Sequence, residues 1–416
     1  MQLERQPRDL DPTFPLQAFD SNRVDVAPRS NVVGEDHQLD GLGLHQLDLG
    51  IISFVDLLRW LEVFTGLVMN LITFYDLFKS VVLPRPAINK FILVRSLFFT
   101  LWNFWLWAND RQSPNRREGW LATFGPVAVL LMFATWALIF VFGYAFIIDG
   151  FRDEIHPVPG DFWESLYFSA TTLVPLSYGD LVPMGLGARL TVIFESATGV
   201  GIAALVITLL FSLYEAFQRR EELVVALDAL AGAPPSGVQL LETAAERNMP
   251  ERLGITFDEW RAWTAAVLES HLAYPVLFYF RSSHDNEAWL NSFGAVMDAA
   301  ALVMSSIDVP AAGSAKLTLT IGDHLVEDMV WYFNFERSDD VGVERAEFDE
   351  ALQRLEKVGY KVHDGDAAWT HFSKIRSKYA FGLNAMARRF AIIPAQWIGD
   401  RSYVPHRSGR VRIRRT

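Results

Sequence analysis

The residue types usually found in catalytic centres are not arranged for catalysis in this chain. Nine histidines never fall in the two-on-one-helix spacing that holds zinc, there is no cysteine for a thiolate or a disulfide, and neither a Walker loop nor a G-x-S-x-G elbow occurs. An enzyme and a bound cofactor are therefore not expected. The chemistry on offer is that of backbone oxygens. Residues 161–183 read DFWESLYFSATTLVPLSYGDLVP. Asp161 with Glu164 three residues later predicts a capping box that opens a short helix, and Pro175-Leu176-Ser177-Tyr178-Gly179-Asp180 follows as extended backbone. A dehydrated cation needs replacement oxygens, and strands from several copies can supply them as rings of carbonyls.

Read from Ser165, the pattern S-L-Y-F-S-x-T-T, two apolar residues, five further residues, Asp180, Leu181 and Pro183 resembles without a gap the pore helix and selectivity filter of potassium channels. The similarity continues from Arg189 to Gly199. It implies an all-α membrane protein, a homotetramer whose subunits each give an outer helix, pore helix, filter and inner helix. It also implies potassium held at the carbonyls of Leu176, Ser177 and Tyr178. Carried over by position, Gly199 is where the inner helix bends and Gly201 doubles that point. Val200, Ala203, Ile207 and Phe211 face the pore, and Glu215 rings its inner mouth. Periodicity alone does not choose which face lines water.

The departures are specific. Such channels usually have Thr-Val-Gly-Tyr-Gly where this chain has Pro175-Leu176-Ser177-Tyr178-Gly179. Pro175 brings no hydroxyl to the innermost ion site and no N–H. Ser177 stands where glycine visits left-handed angles, at a cost of about 1–2 kcal/mol for a residue with a Cβ. Thr171 replaces the acid that some relatives set beside Asp180. Weak selection among monovalent cations is the expected consequence, and a non-conducting receptor or scaffold that keeps the channel fold is the competing reading.

The elements that must position this stretch are apolar helices. A hydrophobic fraction of 51%, with 31 Phe and 13 Trp, places part of the chain in lipid, and a net charge of −12 argues against nucleic acid as a partner. Residues 1–50, with nine acids, four Arg and no apolar period, read as a disordered acidic tail that lacks a secretory signal. Residues 51–120 read as a peripheral membrane segment. Its uncharged stretch 63–75 is short for a span, and Asp76 and Lys79, three apart, predict a mutual ion pair. The helix 89–107 carries a polar stripe of Ser96, Thr100 and Asn103, continued by Asp110, with Trp102, Trp105 and Trp107 at its end and basic residues on both flanks. It predicts a helix on the cytoplasmic surface with its indoles at headgroup level. Four spans with both termini inside is the alternative.

Residues 121–220 are the pore domain. The uncharged run 121–148 predicts one span and 186–217 the last, ending in the basic Gln218-Arg219-Arg220 that belongs inside. Glu195, a carboxylate in an apolar helix, predicts a structural hydrogen bond to the pore helix rather than an ion site.

Residues 221–400 read as a helical cytoplasmic domain that gates the pore, opened by the stop signal Gly232-Ala-Pro-Pro-Ser-Gly237. Thr256 with Glu259 predicts a helix start, and Trp260, Trp263, Val267 and Leu268 a buried face. Further helical periods cover 288–305, 316–333, 344–358 and 367–389. There is no Gly-rich βαβ fingerprint for a nucleotide, so a cytoplasmic ligand is left unnamed. The segment HLAYPVLFYFRSSHDNEAW (271–289) is similar to one found after such pores in bacterial channel-like proteins. His271 and His284 read as partly buried polar residues, and Asp339-Asp340 as a solvated turn. The tail 401–416 has six Arg and no acid and would dock on anionic lipid.

Overall fold

The computed structural model describes residues 41–82, 93–282, 288–337, 342–393 and 395. The expectations for residues 1–40, His284, Asp339-Asp340 and the basic tail 401–416 lie outside the described residues. Contacts divide the chain into two units, 1–55 and 56–416. The described part of the first is the opening of helix α1.

Helix α1 (Gly41–Leu77) begins ten residues before the apolar pattern sets in, so residues 41–50, read from the sequence as tail, are helical. It ends in a π-helical turn, Phe78–Val82. Residues 63–75 alone looked short for a span, yet Phe54–Val81 is long and apolar enough to cross a membrane. Two of its charged groups are held by α3 (Pro114–Gly150) and the loop after it. Arg59 pairs with Asp153, and buried Asp76 accepts from Trp136 Nε1 at 2.8 Å. Lys79 lies 4.4 Å above the Tyr75 ring. These pairings run α1 antiparallel to α3. The two backbones nearly touch, because a Cβ on Gly66 would stand 2.2 Å from the Gly143 oxygen.

Helix α2 (Leu93–Asn109) has 17 residues and is not among the three candidate spans found in the described residues. Its indoles do not all sit at headgroup level. Trp102 is 1% exposed, donates from Nε1 to the Arg389 carbonyl at 2.9 Å, and packs 4.8 Å from Phe124 and 5.2 Å from Tyr279. A period of three to four cannot tell whether protein or lipid covers an aromatic face, and here protein covers it.

The other two candidate spans are α3, from Arg116 to Gly150, and α5 (Leu186–Ala231). Between them lie the strand β1 (Ile155–His156), helix α4 (Phe162–Leu173) and the strand β2 (Val182–Pro183), which pairs antiparallel with β1. Helix α5 runs on past the membrane-length stretch and stops where Gly232 takes a φ of 77°.

Beyond it α6 (Gly237–Glu246), α7 (Arg252–Ala273), α8 (Trp289–Ser305), α9 (Ala312–Phe333), α10 (Arg345–Lys357), α11 (Gly365–Arg376) and α12 (Ala380–Arg389) form the helical C-terminal part. Two expectations are corrected. Thr256 does not open a helix: α7 starts at Arg252, and Thr256 is buried inside its second turn. The period over 367–389 is two helices, because a break after Arg376 lets Arg376 Nε and the Tyr379 hydroxyl both reach Asp298 Oδ1, at 2.8 and 2.7 Å. One hydrophobic core runs from Phe98, Trp102 and Phe124 through Val224 and Leu227 of α5 to Trp260 and Phe293. The C-terminal helices are therefore packed onto the ends of the apolar ones rather than strung from them.

Candidate functional site: the loop 174–180 and its frame

Helix α4 is built to end at a fixed place. Asp161 Oδ1 accepts from the Glu164 N–H at 3.0 Å, and Glu164 reaches back to the Gly160 N–H at 2.7 Å. The expected capping box is present with its return bond moved one residue upstream. Ser165, Phe168, Ser169 and Leu173, spaced by three and four, form the buried face. Ser165 Oγ donates to Asp149 at 2.8 Å, and Ser169 Oγ donates to the Val141 carbonyl at 2.8 Å and hydrogen-bonds the carboxyl group of Glu195. The structural role expected of Glu195 is met. It is fully buried, and its second oxygen has no hydrogen-bond partner. Ser169 thus joins α3, α4 and α5 in the low-dielectric layer where such bonds matter most.

The loop leaves α4 through a bond from the Leu176 N–H to the Thr171 carbonyl, 2.8 Å. Residues 174–180 have no regular secondary structure and are exposed in the single chain. Ser177 has a φ of 52° and Gly179 a φ of 80°. In an ordinary strand successive carbonyls alternate in direction. A left-handed residue at every second position is what a backbone needs to turn consecutive carbonyls the same way. Glycine adopts that conformation freely, whereas Ser177 is strained there by about 1–2 kcal/mol.

Glu154 pins the far side. Glu154 accepts from the N–H groups of Met184 and Gly185 through its carbonyl, and from Ala188, at the start of α5, through its carboxylate at 2.8 Å. The Tyr167 side chain lies near Asp180. Thr171 bonds inside its own helix, to the carbonyls of Tyr167 and Phe168. Tyr167 is thus a neighbour of Asp180 that was not read from the sequence, because a tyrosine in an apolar helix carries no polar signal of its own.

On α5, Val200, Ala203, Ile207, Phe211 and Glu215 are all exposed in the single chain, while Leu209 and Leu213 are buried on the opposite side. Glu215 pairs with Arg219 one turn on, at 2.5 Å, so its charge is partly compensated. The helix passes unbroken through Gly199 and Gly201. Among the described residues no cluster of His, Asp and Glu is arranged to hold a metal ion.

The end of α5 is clamped to the C-terminal helices by Arg220, 1% exposed. Its guanidinium donates to the carbonyls of Leu277 at 3.0 Å and Phe280 at 2.8 Å, and to Glu221 at 2.9 Å, and it lies 3.3 Å from His271 Nε2. Trp263 Nε1 returns a bond to the Arg220 carbonyl. His271 Nδ1 bonds the Val267 carbonyl, which leaves Nε2 as the acceptor facing arginine. Burial and the neighbouring guanidinium hold its pKa well below the ordinary histidine range. The same segment 271–289 also touches α3: Arg281 bonds Glu118 at 2.6 Å, and Phe280 packs over Gly125. Read alone, Gln218-Arg219-Arg220 looks like a solvated basic end, and the burial of its last member has no sequence signal.

A family model described as an ion channel matches residues 129–216, which comprise α3 from Val129, α4, the loop and α5 as far as Ala216. An uncharacterized membrane protein of Bacillus subtilis (strain 168), YdjJ, is 22% identical over 188 residues, 44% of this chain and 54% of that protein. The chain thus spans about half the length of the curated relative it matches. No solved structure matches it. The chain is a mostly helical membrane protein with three candidate spans among the described residues and a stretch, 129–216, that matches an ion-channel family model.

Proposed function

We propose that this chain forms a tetrameric, potassium-channel-like cation channel. Four copies set their 175–180 loops around one axis. The ion exchanges water for the carbonyls of Leu176, Ser177 and Tyr178, then passes Val200, Ala203, Ile207 and Phe211 to a mouth ringed by Glu215. The observation that carries this reading is the left-handed backbone at Ser177 and Gly179, directly after a helix whose carbonyl end, with its partial negative charge, leads into the loop. One loop supplies one carbonyl per ring, so closure requires several copies. The exposed apolar residues Phe194, Val200, Ile207 and Phe211 support an assembly that covers them.

In this reading the helical C-terminal part lies in the cytoplasm and gates the pore through the Arg220 clamp, with α5 bending at Gly199 or Gly201. The transported ion is potassium, with weak selection against other monovalent cations. The protein is not an enzyme and needs no cofactor. Pro175 and Ser177 favour the second reading, a non-conducting receptor or scaffold. Potassium flux from liposomes that is blocked by barium supports the channel, and sealed vesicles with inserted protein support the scaffold.

A further inference from the structure

The turn between α2 and α3 holds a second candidate site. Arg111, Gln112, Ser113, Arg116 and Trp120 line an open surface hollow of about 730 Å³. The turn is ordered by its own bonds: buried Asn109 donates to the Trp105 carbonyl at 2.8 Å and accepts from Gln112 Nε2 at 2.9 Å. Ser113 precedes the first residue of α3 and makes no side-chain capping bond.

The charge there is not neutralised. Glu118, the acid of the first turns of α3, is taken by Arg281. Among the described residues neither Arg111 nor Arg116 has a carboxylate within ion-pair distance, and neighbouring Asp110 forms no ion pair. Two planar guanidinium groups with a hydroxyl nearby match the oxygens of a phosphate. Depth decides which phosphate. The candidate span begins at Arg116, and Trp120, 50% exposed, sits one turn further in. Trp105 of α2 packs beside it with ring centroids 6.1 Å apart, and α2 also exposes Trp107, 74%, and Phe104, 56%. Exposed indoles settle at the headgroup level of a bilayer, where the phosphates of lipids lie.

We infer that the α2–α3 turn binds the phosphate of an anionic membrane lipid, with Arg111 and Arg116 on the phosphate and Trp120 beside the glycerol region. A soluble phosphate has no use for the exposed Trp120 indole, and a choline headgroup would set its own cation against the two arginines. The inference is independent of ion conduction, since it uses no residue of the pore loop or inner helix.

The test is native mass spectrometry of the full chain in detergent, titrated with phosphatidylglycerol, phosphatidylcholine or inorganic phosphate. Phosphatidylglycerol is expected to bind in preference to both. Arg111→Gln with Arg116→Gln should weaken it about 25-fold and each single change about fivefold, from roughly 1 kcal/mol per basic residue at an anionic surface. Arg247→Gln, an exposed position among the C-terminal helices, should leave it unchanged. If the double variant does not fold, the two single variants decide between these outcomes. Unaltered phosphatidylglycerol binding in the arginine variants overturns the site, and inorganic phosphate competing at equal concentration overturns its assignment to lipid.

Discussion

Gly199 of α5 lies against the carbonyl of Leu173, the last residue of α4. A Cβ at 199 would stand 1.8 Å from that oxygen. The glycine is thus required by a close backbone approach, whatever bending it also allows. Gly201, two residues on, has nothing within 4 Å of its missing Cβ.

The two glycines should therefore respond differently to alanine. Gly199→Ala is expected to cost about 3 kcal/mol or more, as overpacking against backbone does. Gly201→Ala should be neutral or stabilising by up to about 1 kcal/mol, because glycine is a poor helix former. Thermal unfolding in detergent reads both. Equal tolerance at the two positions would remove the contact role of Gly199.

Arg220→Met should loosen the C-terminal helices from α5. The change removes the donors to Leu277, Phe280 and Glu221 and leaves those acceptors buried, at an expected cost of about 3–5 kcal/mol. Limited proteolysis between α5 and α7 should become faster. Cleavage no faster than in the native chain would mean that apolar packing alone holds the junction.

His271 makes this junction pH-dependent. Its folded pKa lies below the ordinary value of 6.5, so the unfolded chain takes up a proton that the folded chain refuses. Stability is then full above about pH 6.5 and falls as pH drops through it, by at most about 1.4 kcal/mol per pH unit. The groups facing the ring are Arg220, Ser270, the Val267 carbonyl, Phe278 and Trp289, with Glu221 on the far side of the arginine. His363, raised by Asp308 at the surface, acts with the opposite sign, its stabilisation being present below pH 6.5 and lost as pH rises. The difference between the native chain and His271→Gln isolates the buried ring. Parallel pH profiles for the two would show that His271 does not titrate on unfolding.

Pro175→Thr with Ser177→Gly should restore a hydroxyl to the inner end of the loop and relieve the left-handed serine. The expected gains are about 1 kcal/mol in stability and sharper discrimination of potassium from sodium. Reversal potentials between the two salts measure it. A native pore already as selective as the repaired one would show that these residues do not set selectivity.

Much of the frame was legible. Two apolar runs, a capping pair and a stop signal marked α3, α4 and the end of α5, because lipid and helix ends each demand a local pattern. Glu195 was legible as well, since a carboxylate in an apolar helix needs a partner. Contacts made at long range left no such trace. Trp102 meets a carbonyl nearly three hundred residues away, Arg220 reads as one more basic residue at a membrane edge, and Tyr167 reads as apolar filler. The helix starting at Arg252 passes through Thr256 and Glu259, whose pattern alone suggested its beginning, because tertiary burial overrides a local capping signal.

Everything proposed for the pore depends on cations passing along the backbone of residues 175–180. Gly179 tests this, since at a φ of 80° its Cβ-bearing replacement is strained although no neighbour within the chain blocks it. Potassium efflux is measured from liposomes holding equal amounts of native or Gly179→Ala protein, with the oligomeric state of each read by mass photometry. Native vesicles should show barium-sensitive efflux, and the variant should lose most of it. Native vesicles that stay sealed, or a variant that conducts as well as the native chain, would contradict passage along this loop.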